Sequence, residues 1–89
     1  MSGFVYILKS ERNGRYYIGS TNNLARRIDE HKIGKVIATK HLLPLQLMFF
    51  QRFESLSQAR RVEYGLKKLK RRDIIENIIE EKRIKIARE

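Results

Sequence analysis

Phe4-Val5-Tyr6-Ile7-Leu8, a charged connection ending in Asn13-Gly14, and Arg15-Tyr16-Tyr17-Ile18-Gly19 form the stretch whose reading decides the fold. Two short runs rich in β-branched and aromatic residues around Asn-Gly predict a hairpin, since both turn residues tolerate positive φ. In an antiparallel pair, directly opposed residues share a face and each strand alternates with period two. With Asn13 and Gly14 as the central turn residues, Tyr17 lies opposite Ser10, four residues from Tyr6. With the turn centred one residue earlier, Tyr17 lies opposite Leu8, two residues from Tyr6. Either register puts both phenols on one face. A basic helix is predicted to follow at once, so that face is a candidate floor for phosphate chemistry.

The chain has 89 residues, enough for one domain with a small core. No run of about 18 apolar residues occurs, so no membrane span is expected. No basic segment leads into an apolar core and cleavage site, so the expectation is no secretory signal and a cytoplasmic location. The absence of cysteine excludes disulfides and thiolate metal sites, and two histidines are too few for a His-rich one. Twenty Lys and Arg against ten Asp and Glu give a net charge of +10. Such a field attracts phosphate backbones and speeds encounter with them, which makes nucleic acid the expected partner.

Ser20-Thr21-Asn22-Asn23 offers N-caps for a helix running to about Lys32. Leu24 and Ile28 would face the core, with Arg27 and His31 at the border between core and solvent. Gly19 would let the backbone pass close to this helix, and Gly34 suits its C-terminal end. After a basic loop, Leu45–Phe53 reads as a core strand in the middle or third place of a small sheet. Leu47, Phe49 and Gln51 are expected on one face, Met48, Phe50 and Arg52 on the other. Ser55 with Gln58 predicts the cap of a second helix, with Ala59, Val62, Leu66 and Leu69 as its buried stripe. Gly65 costs this helix about 1 kcal/mol relative to Ala, for which close packing on the sheet would compensate. From Ser55 to Arg72 seven basic residues accompany one acid, Glu63, beside the apolar stripe. Asp73 with Glu76 marks a third N-cap, ahead of Ile74, Ile75, Ile78 and Ile79. The expected architecture is α+β: strands Gly3–Ser10, Arg15–Ile18 and Leu45–Phe53 in a three-stranded antiparallel sheet flanked by three helices. Residues 1–80 form the domain, and residues 81–89 a helical extension or frayed tail.

The hairpin resembles the signature of the GIY-YIG nuclease family, small standalone bacterial type, related to excision-repair nucleases and homing endonucleases. The second half, Tyr17-Ile18-Gly19, is intact. In the first half Phe4 stands where the motif has glycine, and Tyr6 is kept. The resemblance runs from Phe4 to Asn77 and implies metal-assisted phosphodiester hydrolysis in repair, recombination or processing of nucleic acid, with DNA favoured over RNA. It places an arginine for the scissile phosphate at Arg27, whose forked donors match phosphate oxygens, and a His or Tyr near the phosphate at His31. It makes Glu63 the one protein ligand of a single Mg2+ or Mn2+, and it aligns Asn77 with an asparagine near the family's C-terminal end. One of Tyr6 and Tyr17 takes a proton from water. Tyr17 is favoured for that role with Tyr6 in support, in a positive field that lowers a phenol's pKa. Arg26, Arg60, Lys67, Lys68 and Lys70 on the first two helices are the expected phosphate contacts. A monomer or weak dimer is expected, with no membrane contact and with specificity borrowed from a targeting protein in trans.

Each residue taken alone has a plainer reading. Arg27 is one more solvated base, His31 a surface histidine, Asn77 a polar helix residue, and Glu63 a salt-bridge partner for Arg60 or Lys67. A nucleic-acid-binding module without catalysis therefore stays open, the more so because Phe4 can reshape the catalytic face. A protein–protein adaptor would leave the charge unexplained.

Overall fold

The computed structural model describes residues 1–84; the last part of the predicted 81–89 extension lies outside the described residues. Strands β1 (Gly3–Ser10) and β2 (Tyr16–Thr21), helix α1 (Leu24–Lys32), strand β3 (Leu45–Phe53) and helices α2 (Leu56–Leu69) and α3 (Arg72–Glu81) follow in order, with a 3-10 turn at Lys40–Leu42. The sheet is antiparallel in the order β2-β1-β3. β1 takes the centre, which explains its unbroken apolar run: Val5, Tyr6, Ile7 and Leu8 are all at most 1% exposed, since both sheet faces are covered. β3 takes an outer place.

The hairpin adopts the register that pairs Leu8 with Tyr17 and Tyr6 with Gly19. Its loop is tied by the Ser10 hydroxyl, which accepts from the Arg12 and Asn13 amides, and Gly14 holds a positive φ of 77°. β2 runs to Thr21 rather than ending at Ile18, because pairing with β1 continues to Phe4. Asn23 then serves as N-cap, its side chain accepting from the Arg26 amide.

One face of the sheet carries α2 and α3 over Val5, Ile7, Ile18 and Phe49. The other carries α1 and the loop after it over Tyr6, Leu8 and Leu45, with Ile28 and Leu42. The expected face assignment for β3 fails at one point. Ile7 pairs with Phe49 but Leu8 with Leu47, so Met48 is an extra residue in a bulge. Leu47 is thereby turned to the α1 side, while Met48 packs with Phe49 on the α2 side.

Four other local expectations are corrected. Leu69 is 50% exposed at the end of α2, beyond the reach of the sheet. A Cβ at Gly65 would meet nothing within 4 Å, so close packing does not compensate its helical cost. The N-cap of α3 is Arg71, without a side-chain cap bond; Asp73 lies inside the first turn and pairs with Arg71 instead. Gly19 does not serve the approach of α1: a Cβ there would overlap Tyr6 Oη and Cζ, so its bare backbone accommodates the neighbouring phenol.

Candidate active site

The α1 face of the sheet forms a grid of three rows, read from β2 through β1 to β3. They are Tyr17–Leu8–Leu47, Gly19–Tyr6–Phe50 and Thr21–Phe4–Arg52. Both tyrosines lie on this face, and α1 lowers His31 onto them. The His31 ring centroid is 5.5 Å from that of Tyr6 and 5.3 Å from that of Tyr17.

His31 is not at a solvent border. It is wholly buried, with Nε2 at 2.8 Å from the Tyr6 hydroxyl and Nδ1 at 2.8 Å from Thr39 Oγ1. Either tautomer satisfies both bonds, since each hydroxyl can donate or accept. Thr39 is also fully buried, held where the loop turns by amide bonds from Thr39 to the Val36 carbonyl and from Leu42 to the Thr39 carbonyl. The loop is anchored to the hairpin because Ser10 Oγ donates to the Leu42 carbonyl at 2.6 Å and the Glu11 amide to that of Pro44 at 2.8 Å. Sequence spacing carried no sign of Thr39's place, since it is one polar residue in a loop that also holds Lys35, Lys40 and His41.

Burial pushes the Tyr6 phenol up to about 12; the Arg27 guanidinium beside it opposes that shift and Tyr17 adds to it. Burial also lowers His31 to about 4, helped by the Arg27 charge. At neutral pH the pair is therefore an uncharged phenol and an uncharged imidazole. Arg27 donates to Glu30 at 3.1 Å with its side chain 36% exposed, leaving guanidinium donors toward solvent.

Glu63 comes from the opposite layer. α2 packs on the other face, and Glu63 reaches the edge of β2, where the Ser20 hydroxyl donates to Oε1 and Lys67 Nζ lies 2.7 Å from Oε2. Lys67 Nζ also stands 5.3 Å from the Tyr17 ring centroid, which links the carboxylate to the tyrosine face around the strand edge. The sequence marks Ser20 as a capping candidate; as an edge-strand hydroxyl it partners the one acid of α2 instead.

The structure thus brings together Tyr6, Tyr17, Gly19, Arg27, His31, Glu63 and Lys67. Asn77 is not among them: it is exposed on α3 and lines a separate cleft with Ile74, Ile78 and Ile84. Arg26 is exposed on α1 beside Glu30, Arg60 lies with Arg61 and Tyr64 on the outer side of α2, and Lys68 stands over Tyr64. Lys70 joins Arg15, Tyr17, His41, Lys67 and Arg72 around an open groove of about 700 Å³ next to the tyrosines. The basic side chains nearest the site are therefore these, rather than Arg60 and Lys68.

The fold, the paired tyrosines and the glutamate at the strand edge define a class, and comparison with known proteins agrees. Residues 2–77 match the model of the GIY-YIG catalytic domain, and the chain belongs to that family. It is 40% identical over 83 residues to a UPF0213 protein of Bacillus licheniformis, covering 92% of this chain and 84% of that one. A UPF0213 protein of Listeria welshimeri is 37% identical over 78 residues, covering 86% of each. The solution NMR structure of a UPF0213 protein from Bacillus halodurans superposes with a TM-score of 0.55 at 35% identity, over 88% of this chain and 83% of that one. No helix among the described residues is long and apolar enough to cross a membrane.

The lowered His31 value sets a pH dependence. His31 binds a proton less readily when folded than the ordinary 6.5, so the unfolded chain holds more protons between pH 6.5 and 4. Stability is then present above about 6.5 and is lost as pH falls toward 4. The expected loss is on the order of 3 kcal/mol from this group. Urea titrations of wild type and His31→Gln across that range check it. The wild type should show the steeper fall, and parallel curves would contradict it.

Proposed function

We propose that this chain is a metal-dependent nuclease that hydrolyses phosphodiester bonds of nucleic acid, DNA in preference to RNA. The observation that carries this reading is that Arg27 stands beside Tyr6, Tyr17 shares the His31 ring with that phenol, and Lys67 ties Glu63 to Tyr17 around the β2 edge, next to a basic groove. A structural salt bridge alone would not require two phenols, a guanidinium and the sole acid of α2 to meet.

Tyr17 is half-buried and stands at the groove, so it is the phenol that water can reach. In its ionised phenolate form it takes the proton of the attacking water as the water oxygen bonds to phosphorus and the leaving oxygen departs. Tyr6, buried and held neutral, supports it through the shared His31 ring. Arg27 binds the scissile phosphate and offsets the charge that develops on it. Among the described residues no three His, Asp or Glu side chains converge into a protein cage. The donor set instead fits one hard cation: a single carboxylate, 19% exposed, whose partners are a hydroxyl and a solvent-accessible ammonium able to swing away. Mg2+ or Mn2+ takes such a set with waters and substrate oxygens, so Glu63 would hold the ion. When bound, the ion supplies charge stabilisation at the leaving oxygen.

The groove lined by Arg15, Lys67, Lys70 and Arg72 is the path for the phosphate backbone, and specificity comes from a targeting protein in trans. The test is a cleavage screen over linear, duplex and branched DNA and RNA, with Mg2+, Mn2+ or chelator, paired with binding at about 50 and 200 mM salt. Metal-dependent cleavage and affinity that falls steeply with salt are expected. Binding without cleavage on any substrate would favour the non-catalytic module. Affinity flat across that range would remove the electrostatic path as well.

A further inference from the structure

Phe4 and Phe50 are left unexplained by the site as described. Phe50 is 52% exposed and, among the described residues, is the one large apolar side chain on a strand with that exposure. It lies directly opposite Tyr6 on the α1 face. Phe4, which stands where the GIY-YIG motif has glycine, meets it edge to face, with ring centroids 6.5 Å apart and planes at 63°. Arg52, exposed, pairs with Phe4 in the next row.

We propose that Phe50, buttressed by Phe4, stacks an unpaired nucleobase of the substrate strand beside the tyrosine site. The reading rests on the nuclease proposal only in taking nucleic acid as the ligand. Three observations favour this occupant. The rings are contiguous with the site, since directly opposed cross-strand residues have Cβ atoms about 5 Å apart; a base on Phe50 would therefore belong to a nucleotide next to the phosphate held at the tyrosines. The surroundings are cationic, with Arg52 in the adjoining row and Arg26 and Arg27 on the helix over the same face, which suits a phosphate-linked base and repels another basic surface such as a second copy of this chain. Two partly exposed rings also offer far less area than the roughly 800 Å² per partner of a stable protein interface.

Only an unpaired base can occupy the place. In a duplex the π-faces are already stacked on their neighbours, so Phe50 meets backbone rather than base. Aromatic stacking tolerates any base, because each presents a π-face. The edge-to-face contact with Phe4 fixes the Phe50 ring, which lowers the entropy lost when a base settles on it. The aromatic side chain at the motif's glycine position thus acquires a role: it holds a stacking platform one row from the phenols instead of closing the face.

The experiment uses the full chain in chelator, where no cleavage can occur, with a single-stranded oligodeoxynucleotide carrying 2-aminopurine and its duplex. Wild type should quench the probe in the single strand. Phe50→Ala should weaken single-strand binding by about tenfold, within the range a lost base–aromatic stack produces, and leave duplex binding within about twofold. Phe50→Trp should retain both quenching and affinity. Phe50→Leu keeps the apolar packing without the π-face and should behave as Phe50→Ala; it decides the matter if the alanine variant does not fold. Equal losses on single strand and duplex, an unquenched probe, or a wild-type dimer that Phe50→Leu converts to monomer would each overturn the proposal. Because binding is read without hydrolysis, a chain that stacks the base but never cleaves would sink the nuclease reading alone.

Discussion

Glu63→Ala is expected to remove metal-dependent cleavage while leaving the fold and nucleic-acid binding in place. A ligand that holds the only divalent ion controls several kcal/mol of charge stabilisation in the transition state, which is about 10²-fold or more in rate. The stability cost should be small. Glu63 pairs with Lys67 and Ser20 at a strand edge, the lysine side chain is 46% exposed, and such pairs are worth about 1 kcal/mol or less. Binding should hold or tighten, since the substitution releases Lys67 from its carboxylate and removes a negative charge from a basic face. Cleavage rate, gel-shift affinity and melting temperature measured on both chains decide it. Unchanged cleavage in the variant would remove Glu63 from the site and leave it as the ion-pair partner it also is.

Gly19→Ala tests the other half of the site. Tyr6 lies across the strand from Gly19, and the added methyl would overlap the phenol oxygen and the ring carbon bearing it. Tyr6 cannot simply swing aside, because it is 1% exposed and bonded to His31 at 2.8 Å. Forcing an extra carbon into such a place typically costs about 1–3 kcal/mol. For a domain of this size that is a fall of roughly 5–20 °C in Tm. Displacing the phenol also breaks the Tyr6–His31–Thr39 chain, so cleavage should fall further than the lost stability explains. Activity per folded molecule, read well below Tm, separates the two effects. A variant that melts like wild type and cleaves normally would contradict the close fit.

Much of the fold was legible in the residues because its signals are local. The boundaries of β1 and β3, the Asn23 and Ser55 caps and the positive-φ glycines at 14 and 34 follow from alternation, capping chemistry and the missing Cβ, all acting within a few residues. That Tyr6 and Tyr17 share a face was likewise fixed by strand parity, whichever hairpin register formed. The family motif named Arg27 and Glu63 as candidates; the chemistry of each residue taken alone did not.

What spacing could not contain is contact between layers. Met48's bulge turns Leu47 to the opposite face from Phe49, and only the pairing partner β1 decides where an extra residue enters. His31 looked like a border residue from its helical position. The loop that closes over it, bringing Thr39 to its second nitrogen, is set by Ser10 and Glu11 bonds more than thirty residues away in sequence. Glu63 meets Ser20 on its own helix's face of the sheet, and its partner Lys67 carries the link to Tyr17 on the other, because β2 is an edge strand that a long side chain can pass. Periodicity assigns a residue to a side of its own element; which groups meet across an edge or under a loop is decided when separate elements pack together to bury their apolar faces.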